Sequence, residues 1–272
     1  QTTTASGVGS SAFGAGAQAE GAFSTATGAA ALASNTQATA IGYSSTASGL
    51  GATSLGGFAE ATGDLSTALG YGAEASNTRT TAVGISSTAS GLNATALGNS
   101  ATASGNNSVA LGSSSSATGL NATAVGGSAW ATADNTTSLG QFAWATSAGA
   151  TAIGRDSYAY AQGATAVGLS AWSNGVNSVA LGSGSRTSEA NVVSVGGGTG
   201  AYPATRRITN VTAGVAASDA ATVGQLQAAT GDTRYFAANG GVDSDNAAYV
   251  NGEYTTASGE SATADGDGAS AY

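Results

Sequence analysis

The sequence predicts an all-β fold, a narrow parallel β-solenoid wound from 14-residue coils, and three observations carry that expectation. Glycine recurs at 14, 28, 42, 56, 70, 84, 98, 112, 126, 140, 154, 168, 182 and 196, at constant spacing without insertion or deletion. The residue before each is Phe13, Thr27, Ile41, Leu55, Leu69, Val83, Leu97, Leu111, Val125, Leu139, Ile153, Val167, Leu181 or Val195, so only Thr27 breaks an apolar column. Composition is the third: of 272 residues 43 are glycine, one is proline, 8% are charged, and 41% are apolar, mostly alanine. Low charge with frequent apolar residues opposes disorder, and a fixed period marks a stacked repeat.

The other columns assign faces. Two residues before each apolar position stands threonine or valine in all but the first repeat, where Ser11 is found, and the residue between is always alanine or serine. T-A-L-G therefore reads as a short strand, large side chains on one face and a tiny one on the other. Four and six residues past the apolar position come small residues again, as at Ala101 and Ala103, flanking one that varies freely. That variable column runs through Gln18, Leu32, Thr46, Glu60, Glu74, Thr88, Thr102, Ser116, Trp130, Trp144, Tyr158, Trp172 and Arg186. Two strands and two turns make one coil, with alanine facing alanine inside and the variable column in solvent.

That arrangement leaves the Leu/Ile/Val column pointing out of the coil. Ordering the backbone costs on the order of 1–2 kcal/mol per residue, while burying one Leu or Val returns about 1.5–3 kcal/mol. A rung with one such residue and a few alanines needs its neighbours' hydrogen-bond ladder and a partner for its exposed stripe. Association follows, and cyclic symmetry closes such stripes around an axis. The expected interface is Ile41, Leu55, Leu69, Val83, Leu97, Leu111, Val125, Leu139, Ile153, Val167, Leu181 and Val195.

Composition also excludes functions. Histidine, cysteine and methionine are absent, and all six basic residues are arginine. Without His, Cys or Lys the common general bases and activated nucleophiles are lacking, and the carboxylates are scattered, so no enzyme and no cofactor are expected. A net charge of −9 opposes nucleic-acid binding, which needs clustered cations. No apolar run approaches the roughly 20 residues of a transmembrane helix.

The stretches "NNSVALGSSS" (106–115) and "NSVALGSGS" (177–185) resemble the repeat of the YadA-like heads of trimeric autotransporter adhesins, N-S-V-A-I-G-x-x-S, with Leu111 and Leu181 in place of isoleucine. The resemblance spans residues 1–196 in unbroken register. It implies a left-handed parallel β-roll, a homotrimer, and display on the outer membrane of a Gram-negative cell, with the membrane anchor outside this fragment. "ATRRITNVTAGVAASDAATVGQLQ" (204–227) is similar to the family's neck, matching it at Arg207, Ile208, Asn210, Val211, Gly214, Asp219, Ala220, Gln225 and Leu226. The head is thus expected over 1–196, and a neck with a short coiled-coil helix over 197–231.

In that neck Ser218 or Asp219 is the expected helix N-cap, Val223 and Leu226 have coiled-coil spacing, and Gly231 is the stop. Arg206 or Arg207 is expected to pair with Asp219 of a neighbouring chain. Residues 232–272 resemble a lead-in and the first repeats of a second head: Ala262, Ala264 and Tyr272 fall where Ala101, Ala103 and Leu111 do. The chain is read as a piece of a longer fibre that begins and ends within repeats.

The predicted function is non-enzymatic attachment to extracellular matrix, host cells or surfaces, with a passive spacer as the alternative. Candidate ligand contacts are an aromatic ladder, Trp130, Trp144, Tyr158 and Trp172 joined by Tyr160, and the turn residues Asn107, Ser113, Asn177 and Ser183. Two other chemistries fit less well. "DSDN" (243–246) and "DGDG" (265–268) suggest calcium, yet an EF-hand counted from Asp243 needs glutamate where Tyr254 stands, so no metal is expected. Thr46, Thr88 and Thr102 resemble the threonine arrays of ice-binding solenoids, but Glu60, Glu74 and the tryptophans interrupt them.

Overall fold

The computed structural model describes residues 2–198 and 205–231, with 249–251, 256–257, 263–265 and 270–271. It divides into two units, 1–206 and 207–272. Two parallel sheets of 14 strands each build the first unit. One holds the T-A-L strands, such as Thr95–Leu97 and Val109–Leu111. The other holds two-residue strands of the variable column, such as Thr102–Ala103. Register equals the sequence period: Thr95 pairs with Val109 and Leu97 with Leu111, and Thr102 pairs with Ser116. Every repeat position therefore lies above the same position of the neighbouring coil.

The interior is made of small residues. Ala96, Ala101, Ala103 and Ala110 are all 0% exposed, as the alternation of faces predicts. A fourth interior column, immediately before each T-A-L strand, was not anticipated: Ala94, Ser108, Ala122 and Thr136 are fully buried there. Hydroxyls in this interior differ in their bonding. Ser115 Oγ donates to the Gly112 carbonyl at 2.8 Å, whereas Ser108 Oγ is buried without a partner. Ser115→Ala is therefore expected to cost about 1 kcal/mol, while Ser108→Ala removes an unsatisfied group and leaves stability equal or higher. Thermal melts of the two variants check the difference.

Two reversals in each coil require left-handed backbone. From Gly9 to Gly198 every seventh residue has a positive φ, for example Asn93 (57°), Ser100 (53°), Asn107 (57°) and Ser114 (56°). Asparagine tolerates this region better than most residues. Here it also bonds along the stack, Asn93 Nδ2 to Asn107 Oδ1 at 3.0 Å, Asn107 to Asn121 at 3.2 Å and Asn121 to Asn135 at 3.0 Å. Each coil thus has two turns seven residues apart that share this backbone conformation, and the asparagine ladder belongs to one of them.

The second unit holds a helix over Val223–Gly231. Its N-cap is Thr222, not Ser218 or Asp219. Gln225 N–H donates to Thr222 Oγ1 at 3.2 Å and Thr222 N–H donates to Gln225 Oε1 at 3.0 Å, the reciprocal exchange of a T-x-x-Q capping box. Asp219 closes the preceding turn, its Oδ2 accepting from Val215 and Ala216 N–H, both at 2.9 Å. The Ala216 bond, then that of Val215, holds its carboxyl below the usual carboxylate range. Further on, Tyr249–Asn251 pairs in parallel with Thr263–Asp265 and Thr256–Ala257 with Ser270–Ala271, each offset by one coil length. The 14-residue frame therefore resumes. Ala262, Tyr272, the 243–246 stretch and residues 266–268 lie outside the described residues.

Candidate functional site

The two sheets present different outer faces. On the T-A-L sheet the apolar column stands out of the roll: Ile41 is 37% exposed, Leu97 41% and Leu181 47%, while Val83, Val125, Ile153 and Val167 are half-buried. In-register pairing stacks these side chains rung on rung, as Ile41 on Leu55 and Leu55 on Leu69. Val195 stands just past the last strand, Val193–Ser194. Leu50, Leu92, Leu120 and Val176 are also exposed, on the turn that leads into the same strands. The sequence reading passed over them because threonine, aspartate and alanine share their column.

The opposite sheet carries the aromatic ladder. Trp130 and Trp144 stack with ring centroids 4.8 Å apart and planes 9° apart. Trp144 meets Tyr158 edge to face at 5.4 Å, Tyr158 stacks on Tyr160 at 5.6 Å, and Tyr160 meets Trp172 edge to face at 6.3 Å. All five rings join, as the column predicts, and Arg186 continues the series with its guanidinium 5.2 Å from the Trp172 ring centroid. Burial, and after it the Tyr158 hydroxyl, push the Tyr160 phenol above its ordinary value, so it remains a neutral donor and acceptor near neutral pH. Trp144 Nε1 is buried without a hydrogen-bond partner.

The ladder turns several ring faces toward one another. Its outer rim therefore offers ring edges, with whole faces free only where the stacking is broken. A second aromatic cluster escaped the sequence reading: Tyr43, Phe58 and Tyr71 pack edge to face at 5.2 and 5.5 Å. Tyr43 and Tyr71 follow a repeat glycine directly and Phe58 follows one by two positions, so no single column reveals the cluster.

The turn candidates Asn107, Ser113, Asn177 and Ser183 are all exposed. Asn107 is engaged on both sides by the asparagine ladder, and the Ser183 carbonyl accepts from Arg206. Arg206 belongs to the roll: its guanidinium also bonds Ser185 Oγ at 2.7 Å and the Val195 carbonyl. Gln225 joins the helix start to the Gly214 loop, accepting from Gly214 N–H at 2.9 Å and donating to its carbonyl at 2.8 Å. Leu226 is exposed on the helix. Among the described residues no His, Cys, Asp or Glu group is arranged to hold a metal ion, and no helix is long and apolar enough to cross a membrane.

The sequence profile of the YadA head domain repeat matches residues 5–31, 33–59, 61–87, 89–115, 117–143, 145–171, 173–199 and 251–272. The chain belongs to the YadA head family. Each matched segment up to residue 199 spans nearly two coils, so the family's unit and the 14-residue coil coincide in phase. Among solved structures, the collagen-binding domain of the Yersinia adhesin YadA is similar at 25% identity, over 79% of this chain and 87% of that one, with a TM-score of 0.37. A comparison with curated proteins found no match.

Proposed function

We propose that this YadA-family head is a non-enzymatic adhesive module, working as a homotrimer on the outer surface of a Gram-negative cell and attaching it to matrix proteins, host cells or surfaces. The observation that carries the reading is the division of faces. One sheet exposes a continuous Leu/Ile/Val stripe suited to burial between copies, and the other exposes ordered aromatics. Three copies repeat weak contacts around an axis and along the roll, so avidity compensates for low affinity at each contact. Because Arg206 is engaged within the roll, Arg207 is the arginine available to meet Asp219 of a neighbouring chain.

Replacing Trp130, Trp144, Tyr158 and Trp172 together by threonine tests the adhesive reading. Attachment of cells to collagen-, fibronectin-, laminin- or plastic-coated wells should fall at least several-fold while circular dichroism and trimer mass stay unchanged. Full attachment by an intact trimer would make the ladder structural and favour a spacer role.

A further inference from the structure

We propose that the groove between Trp172 and Arg186, at the C-terminal end of the roll, binds a sugar that carries a carboxylate. The proposal deepens the adhesive reading by naming a ligand class, and it rests on that reading for the groove's exposure to ligand.

Arg186 differs from the other arginines of the roll. Arg155 is paired with Asp156 at 3.3 Å, Arg206 is spent on Ser183, Ser185 and Val195, and Arg79 occupies a left-handed turn. Among the described residues Arg186 alone is seated on an aromatic ring, and it has no carboxylate partner. Its backbone is fixed by a 2.9 Å bond to the Gly196 carbonyl, and that of Trp172 by one of 2.8 Å to Ser185. A guanidinium resting over an indole face is weakly hydrated, and its planar set of N–H donors can take a carboxylate through two parallel bonds. The backbone that carries both side chains is thus ordered before a ligand arrives, which limits the cost of binding.

Two grooves share Trp172 and Arg186. The first, of about 360 Å3, is lined by Trp172, Asn174, Arg186, Thr187, Ser188 and Gly197. It holds one cation, one indole, an amide and two hydroxyls, and no carboxylate. A pyranose needs that combination: an apolar edge for its C–H groups and donors and acceptors for its hydroxyls. The second, of about 300 Å3, contains the Asp156 side chain beside Tyr158 and Tyr160. Asp156 disfavours an anion there, so the carboxylate is directed to the first groove. The net charge of −9 does not oppose this. Glu60 and Glu74 on the same face are at least eight rungs away, about 38 Å at the strand spacing, several times the Debye length of about 8 Å at physiological salt. Glu189 does not line the groove.

The test titrates the whole chain with methyl β-D-glucuronide, methyl β-D-glucoside and the methyl glycoside of sialic acid, following indole N–H chemical shifts. At least one acidic sugar should bind tenfold or more tightly than the glucoside. Whichever acidic sugar binds more tightly tells a uronate polymer from a sialylated glycan as the source. Arg186→Gln should remove the preference, and Arg155→Gln should keep it. Equal binding of all three sugars, no shift up to about 50 mM, where even millimolar affinity would register, or a preference that survives Arg186→Gln would overturn the proposal. Attachment of cells to coated wells, measured separately, would be untouched by that failure, whereas loss of attachment with intact sugar binding would count against the adhesive reading alone.

Discussion

For the proposed trimer, Leu97→Asp is expected to prevent assembly, while Thr102→Asp, in the next strand, leaves assembly and fold intact. Leu97 stands on the outer face of the T-A-L sheet, paired in register with Val83 and Leu111, and its 41% exposure is that of a single copy. In a trimer closed through this stripe, three aspartates would meet near the axis without cations to pair them, and burying such charges costs several kcal/mol each. Thr102 lies on the other sheet, between Thr88 and Ser116, where a carboxylate keeps its water. Light scattering should give a monomer or an aggregate for Leu97→Asp and the parent mass for Thr102→Asp, with the melting temperature reduced only in the former. Equal melting temperatures and masses would mean that the stripe is not the interface.

The face assignment behind that expectation was legible because the repeat has no insertions. When every coil has the same length, period and register are the same quantity, and a column read down the sequence is a stack read down the sheet. Alanine at 96, 101, 103 and 110 could only be interior. The fourth interior column was harder to see because threonine at 80 and 136 looks like a surface residue. Each of the two hydroxyls satisfies itself on a backbone carbonyl earlier in its own turn, Thr80 on Asn77 at 2.6 Å and Thr136 on Ala133 at 2.6 Å. The helix start was misplaced by a similar local effect. Asp219 has the chemistry of an N-cap, but its carboxylate is spent on the Val215–Ala216 turn, and Thr222 caps instead.

The candidate site was legible as a column and not as a geometry. Four aromatic positions follow from the period and Tyr160 from the next outward position, and all five rings touch in sequence. Whether rings lie face to face or edge to face depends on side-chain rotamers that the spacing does not set. Trp130 and Trp144 thus cover each other's faces. Arg186 entered the sequence reading merely as the last member of a variable column, since nothing in the spacing shows that its guanidinium comes to rest on Trp172. The Tyr43–Phe58–Tyr71 cluster draws on two columns at once, a pattern invisible to column-by-column reading.

Gly112→Ala should be among the most damaging single methyl additions to the roll. Gly112 has φ +133°, and a Cβ built there would lie 2.6 Å from both the C and the O of Gly126 in the next rung. Neither atom can move aside, because both belong to a backbone whose own glycine meets the rung beyond in the same way, Gly126 to Gly140 at 2.6 Å. Two costs therefore add: a backbone conformation that L-residues rarely adopt, and separation of two hydrogen-bonded rungs. Together they should reach about 3 kcal/mol or more, lowering the melting temperature by roughly 6–12 °C for a chain of this size. Two controls isolate the cause. Ser113→Ala changes an exposed neighbour and should melt with the parent protein. Gly72→Ser sits at a left-handed turn, φ +61°, where the nearest atom to a new Cβ is Ser86 Oγ at 3.8 Å, and serine already serves the same turn of later coils at 86 and 100. It should be tolerated, because positive φ alone does not forbid a side chain here. If Gly112→Ala melted with the controls, the rungs would have to slide apart freely, and the close stacking of the T-A-L-G glycines would not be what restricts that column to glycine.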